Sequence, residues 1–219
     1  MRAIILANGD FNQQSVDIKS DDILIAVDGG ASHCLMLDLI PDIVLGDFDS
    51  IPDQDQARLA QSEIEFIRYP KRKDEIDLEL GLILAIERGA TEVHVYAALG
   101  SRWDMTVANL MLIMHPKMQR AKICFFDGLQ EIRTIRAGQT ESLIGEPGDT
   151  ISLIPLQGDA QGISTSGLAY PLVREALLFG ATKGVSNVLI GTKGSISLEK
   201  GFLLCVIIHQ ASINYKYEF

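Results

Sequence analysis

Positive charge is in the minority: 19 lysines and arginines stand against 29 aspartates and glutamates, a formal net charge of -10 over 219 residues. Such a surface repels a phosphate backbone unless a basic face is segregated from the rest. The only basic cluster is Lys71-Arg72-Lys73, which reads as a solvated loop too short to track nucleic acid. Nucleic acid is therefore excluded as an expected partner, whereas the phosphates of a small nucleotide are not. Cysteine is equally scarce. Cys34, Cys124 and Cys205 are odd in number, widely spaced and set among apolar neighbours, so they read as small core residues in a reducing compartment rather than as a disulfide framework. Long apolar runs are also missing. Met1 to Ala7 is a strand-length run that stops at Asn8-Gly9-Asp10 without a cleavage site, and Phe202 to Ile208 is far too short to cross a bilayer. A cytoplasmic protein without membrane contact is the expectation. Neither a Walker A nor a GxGxxG pattern occurs, which argues against a P-loop NTPase or a dinucleotide enzyme. His33, His94, His115 and His209 lack metal-ligand spacing, and no Ser/His/Asp arrangement can be assigned.

What is present is a folded globular composition, 47% hydrophobic and 22% charged. Up to about Phe126, β-branched runs alternate with helical-period stretches, the pattern of a parallel sheet covered by helices. Strands are predicted over 3–6, 23–27, 43–45, 64–68, 92–96 and 122–126, and helices over 31–39, 54–61, 76–88 and 106–114. After about Gln139 the chain turns to short apolar segments broken by Gly, Ser, Thr and Pro, which reads as a β-sandwich or barrel with strands over 150–155, 160–166, 188–191, 195–199 and 202–209. The stretch 127–139 joins the halves, with 131–135 as a further strand candidate. The expected organisation is thus an α/β, parallel-sheet nucleotide-binding domain over 1–135 followed by a smaller, sandwich-like all-β domain over 136–219.

The acidic residues gather at strand tips. Four of the first five strands end in Asn8-Gly9-Asp10, Asp28-Gly29-Gly30, Gly46-Asp47-Phe48-Asp49-Ser50 and Gly100-Ser101-Arg102-Trp103-Asp104. In a parallel sheet such tips share the carboxyl edge, where ligands of open α/β sheets bind. Asp47 and Asp49 are one residue apart, so an extended segment sends both carboxylates to one side, where they can hold a hard cation such as Mg²⁺; an Asp-rich surface turn explains the same letters. Asp74 and Asp77 would share one face of a helix start, or Asp74 would simply be its N-cap. Arg102 and Asp104 flank Trp103 at another helix start. That start either receives a phosphate or is an ordinary cap with Trp103 as a core anchor.

Taken together, Asp28-Gly29-Gly30-Ala31, Gly46-Asp47-Phe48-Asp49-Ser50, Lys73-Asp74-x-x-Asp77-Leu78-Glu79, Gly100-x-Arg102-x-Asp104-x-x-x-Ala108-Asn109-Leu110, Gly167-Leu168-x-Tyr170-Pro171-Leu172 and Gly184-Val185-Ser186-Asn187 resemble, in order, the motif series of the thiamine pyrophosphokinase family. The resemblance spans nearly the whole chain. It implies transfer of the pyrophosphoryl group of ATP to thiamine, giving thiamine diphosphate and AMP, by a homodimer with its thiamine pocket at the subunit interface. It also implies Mg²⁺ at Asp47, Asp49 and Asp77, with Asp74 and Asp28 nearby. Nucleotide contacts would come from Asp28, Gly29, Gly30, Arg102, Asp104 and Asn109, and thiamine contacts from Ser186 and Asn187. A carboxylate such as Asp74 or Asp77 could also accept the hydroxyl proton. Met105 and Ile76 stand where the family often has His or Gln and Thr, so the neighbourhood is less polar than usual. Two alternatives stay open: a related diphosphokinase acting on another alcohol such as a hydroxymethyl pterin, and a non-catalytic nucleotide or vitamin binder.

Overall fold

The apolar runs of the first half pair side by side in the computed structural model, which describes residues 1–13 and 15–210. Strands β1 (Arg2–Leu6), β2 (Ile23–Val27), β3 (Ile43–Gly46), β4 (Glu65–Arg68), β5 (Glu92–Tyr96) and β6 (Lys122–Asp127) form a parallel array ordered β6-β5-β1-β2-β3-β4. Strands β1, β2 and β3 are buried along almost their whole length, as expected of a parallel sheet covered on both faces. The outermost strand, β4, is largely exposed. Between the strands lie α1 (Gly30–Met36), α2 (Asp53–Leu59), α3 (Asp77–Glu87) and α4 (Trp103–Leu112). Helix α3 buries Leu78, Leu82 and Ala85, while Ile86, at the same apolar spacing, is only partly buried. Helix α4 begins three residues earlier than its apolar period suggests, at Trp103 instead of Thr106.

After β1 the chain builds β2, β3 and β4 outward on one side, then returns to place β5 on the other side of β1. That reversal opens a crevice at the carboxyl edge between the loops following β1 and β5, the usual ligand position in open α/β sheets. Helix α1 enters this edge with no room to spare, since a Cβ at Gly30 would lie 2.0 Å from the Leu6 carbonyl oxygen. Gly30→Ala is expected to destabilise the fold by about 3 kcal/mol or more, because backbone is what must move. Urea unfolding should show a large drop in midpoint, while Gly191→Ala, where an added Cβ meets nothing within 4 Å, should be nearly neutral.

The second unit begins at Leu129. It contains β7 (Gln130–Arg136), β8 (Thr140–Ile144), β9 (Thr150–Pro155), β10 (Ala160–Ser166), β11 (Glu175–Leu177), β12 (Asn187–Val188), β13 (Lys193–Ser197) and β14 (Phe202–Ile208). Antiparallel pairing gives one sheet ordered β12-β9-β14-β7 and a second ordered β11-β10-β13-β8. Leu153 and Leu203 from the first meet Leu143, Ile163 and Ile196 from the second in one apolar core, which makes the unit a β-sandwich. The domain boundary anticipated at 135/136 would fall inside β7. All seven residues of that strand pair with β14, so the division comes ahead of it. Among the described residues, no helix is long and apolar enough to cross a membrane.

Candidate active site

Asp28 follows β2 in a left-handed conformation, φ 49°, and its amide donates to the Leu45 carbonyl at 2.7 Å. This fixes the residue against β3 and leaves it only 7% exposed. Asn8 Nδ2 donates to its Oδ2 at 3.2 Å, while Oδ1 is buried without a hydrogen-bond partner among the described residues. Burial pushes the Asp28 carboxyl above the ordinary carboxylate range; Asp77 and Asp47 add to that rise, and the Ser50 side chain opposes it. The next strand ends at Gly46, whose φ of 142° suits glycine and whose hypothetical Cβ would press on Asp28 Cα at 3.2 Å. From there the chain delivers Asp47 and Asp49, with the Asp49 amide donating to Asp47 Oδ1 at 3.0 Å. One carboxylate oxygen from each of Asp28, Asp47 and Asp49 lies within 4.8 Å of the others.

Asp28 also lines a cleft of about 430 Å³, together with Asn8, Lys73, Asp77, Arg102 and Asn109. A volume of that order accommodates a nucleotide-sized ligand. Asp77 opens α3, with Ile76 at the N-cap, so Asp74 is neither the cap nor a member of a shared helix face: it is exposed ahead of the helix. The extended backbone of Ile76, ψ 156°, is what delays the helix past it. Lys73 Nζ stands 2.8 Å from Asp77 Oδ1 without hydrogen-bond alignment, so this ion pair leaves that oxygen, shielded from solvent, without a hydrogen bond. Lys71 pairs with Asp49 and holds its carboxyl below the ordinary range, with Asp47 contributing in the same direction. Lys71 and Arg72 are exposed, as a solvated loop would have them, but the Lys73 side chain is only 12% exposed and lines the cleft.

Arg102 caps α4 through no side-chain bond; its guanidinium turns onto Asp104, with Nη2 2.6 Å from Oδ2. Trp103 is not a core anchor, being 77% exposed. Asn109 is buried, donating from Nδ2 to the Ala98 carbonyl and keeping Oδ1 without a hydrogen-bond partner among the described residues. Gly29 and Gly30 lie beside β1, where a Cβ on Gly29 would strike the Asn8 side chain at 2.0 Å. In the second unit, Ser186 takes φ 62° and its amide donates to Ser152 Oγ at 3.0 Å. Asn187 spends its side chain on backbone: Oδ1 accepts from the Tyr170 and Val188 amides, and Nδ2 donates to the Tyr170 carbonyl at 2.7 Å. It thus fixes the Tyr170 segment.

The resemblance implies Mg²⁺ at Asp47, Asp49 and Asp77 with Asp28 nearby; in the structure the carboxylates of Asp28, Asp47 and Asp49 converge, and Asp77 lines the same cleft as Asp28. Sequence reasoning passed over Asn8, Asp10 and Lys73 as individual site residues. Asp10 Oδ2 accepts from the Ser101 amide at 3.0 Å, tying the loop after β1 to the loop after β5 across the crevice. The signal for Asn8 and Asp10 was their place at the first strand tip.

Comparison with known proteins gives a consistent result. The family model described as thiamin pyrophosphokinase, catalytic domain, matches residues 16–125, and the one described as thiamin pyrophosphokinase, vitamin B1 binding domain, matches residues 134–203. A thiamine pyrophosphokinase of Bacillus subtilis (strain 168) is 30% identical over 182 residues, 83% of this chain and 85% of that protein. The crystal structure of thiamine pyrophosphokinase from Bacillus subtilis has a TM-score of 0.86 at 26% identity, covering 96% of this chain and 100% of that one. A thiamin pyrophosphokinase from Geobacillus thermodenitrificans shares the fold with a TM-score of 0.83 at 24% identity, covering 97% and 99%. The acidic edge falls within the catalytic match and the β-sandwich carries the vitamin-binding match, so the chain belongs to the thiamine pyrophosphokinase family of pyrophosphoryl-transferring enzymes.

Proposed function

We propose that this enzyme takes the pyrophosphoryl group from ATP and places it on the hydroxyl of thiamine, giving thiamine diphosphate and AMP, with Mg²⁺ as its metal. The observation that carries this reading is the convergence of Asp28, Asp47 and Asp49 within 4.8 Å beside a cleft whose other walls bear Lys73 and Arg102. The residues fit the metal. Their donors are carboxylate oxygens, which suit a hard cation, and the buried Asp28 Oδ1 is an acceptor without a hydrogen-bond partner among the described residues. Asp47, Asp49 and Asp28 would hold the ion with Asp77 adjacent, and the bound ion supplies positive charge against the phosphate oxygens.

The rest of the chemistry belongs to the side chains. Arg102 and Lys73 bind phosphate oxygens and hold the chain of phosphates extended, so that attack on the β-phosphorus is in line. The unpartnered Asn109 Oδ1 offers an acceptor to a nucleotide hydroxyl or amine. Gly29 and Gly30 keep their edge clear of side chains. The thiamine oxygen then bonds to the β-phosphorus, the bond from that phosphorus to the α,β-bridging oxygen breaks, and AMP departs with the electron pair. Asp77 lines the cleft and Asp74 does not, which makes Asp77 the nearer acceptor for the hydroxyl proton. Ser186 and Asn187 fall within the vitamin B1 binding match and would serve thiamine, Asn187 by fixing the Tyr170 segment. Exposed Val173, Leu178, Phe179 and Ile190 on the second unit support a homodimer, since a second copy would cover them. The cysteines, all buried and none in a disulfide, suit a reducing cytoplasm.

The test is to incubate the protein with ATP, Mg²⁺ and thiamine and separate the products by chromatography. Thiamine diphosphate with equimolar AMP, dependent on Mg²⁺, is expected. ADP in place of AMP would mean γ-phosphoryl transfer and end the pyrophosphoryl mechanism, whereas turnover only with a hydroxymethyl pterin would reassign the acceptor.

A further inference from the structure

Phe48 stands between the two carboxylates of the β3 tip with a backbone φ of 70°. Glycine adopts that conformation freely; for a bulky side chain it is an outlier that surrounding contacts must impose. The ring is 9% exposed and belongs to the core layer that includes Val44, Ile51 and Leu59. Phe66 meets it edge-on, with centroids 5.9 Å apart and planes at 81°. The Arg68 guanidinium covers it from the outside, 4.8 Å from the ring centroid. The Phe48 carbonyl accepts from Gln56 Nε2 of α2 at 3.3 Å and from the Ile51 amide at 3.4 Å.

We infer that Phe48 is a positioning residue for the reaction: its buried ring holds the tip in a left-handed bend that turns Asp47 and Asp49 together toward Asp28, and Arg68 clamps that ring in place. The flanking residues agree with this division of labour, because Asp47 is half-buried, Asp49 exposed and Phe48 buried between them. A glycine at this position would permit the bend; only an anchored ring selects it from the alternatives the chain could visit. The inference rests on the metal reading proposed above.

The test uses the full chain and Mn²⁺ as the probe, titrated without nucleotide and followed by the paramagnetic resonance signal of the free ion. Phe48→Ala should weaken Mn²⁺ binding by about tenfold, with Phe48→Leu recovering most of it, since a factor of ten requires only about 1.4 kcal/mol. In the reaction the Mg²⁺ requirement should rise in parallel while the KM for thiamine holds. Arg68→Gln supplies a decision independent of core packing. Removing a positive charge near acidic ligands would by itself tighten cation binding, so weaker binding in this variant supports the clamp. Unchanged or tighter Mn²⁺ binding by Arg68→Gln, or wild-type affinity in folded Phe48→Ala, overturns the inference. A wild-type protein that binds no Mn²⁺ removes the metal reading itself, before any variant is considered.

Discussion

Asp49→Asn should yield a folded protein whose turnover falls by about a thousandfold, equivalent to roughly 4 kcal/mol of lost transition-state stabilisation. The substitution is nearly isosteric and sits at an exposed position whose protein partners are Lys71, Ser50 and the neighbouring Asp47. Exposed ion pairs contribute little to stability, so the melting temperature should hardly change. What is lost is one full negative charge from the group formed with Asp28 and Asp47. AMP release measured at saturating Mg²⁺ is the relevant assay, paired with a circular dichroism melt. Normal AMP production by the folded variant would remove Asp49 from metal binding.

Asp28→Asn should separate stability from activity in the opposite way, melting higher than the parent at neutral pH while losing turnover. Burial raises the Asp28 carboxyl above its ordinary value of 3.8, so the folded protein binds that proton more tightly than the unfolded chain does. The sign follows directly. The stabilising contribution is complete below 3.8 and is lost as the pH climbs through the raised folded value, above which an ionised, poorly solvated carboxylate lies beside Asp47 and Asp77. An amide has no such charge. It can keep an oxygen toward Asn8 Nδ2 and turn its nitrogen to the neighbouring carboxylates. Each kcal/mol relieved should appear as roughly 2–4 °C in a protein of this size. The variant should also lose the part of the acid-range pH dependence that Asp28 contributes, and a lower melting temperature at neutral pH would contradict the account. Active sites commonly carry this kind of conflict between stability and function.

Hydrophobic periodicity was enough to read the parallel sheet and its order of elements. Strands β5, β9 and β10 were legible to the residue because their ends are marked by polar or turn-forming neighbours. Strand β8 was not, since Thr140–Ile144 buries only Leu143 and carries no apolar alternation. The start of α4 was hidden for a related reason: its first turn is mostly exposed, so the apolar period begins after the helix does. The acidic edge could be seen in the sequence because strand tips of a parallel sheet must converge. Which carboxylates touch could not, because that depends on left-handed backbone at Asp28 and Phe48, where local preference points elsewhere. Lys73 was read as surface because a charge run usually is solvated, and only the fold shows the chain bending it into the cleft.

Trp103 is the only tryptophan in the chain, and it stands in solvent between Arg102 and Asp104 at the rim of the crevice. Its indole already lives in water in the native state, so intrinsic fluorescence is a poor witness to denaturation of this protein. The same placement makes it a native optical sensor for whatever lands on the neighbouring guanidinium, without any label being attached.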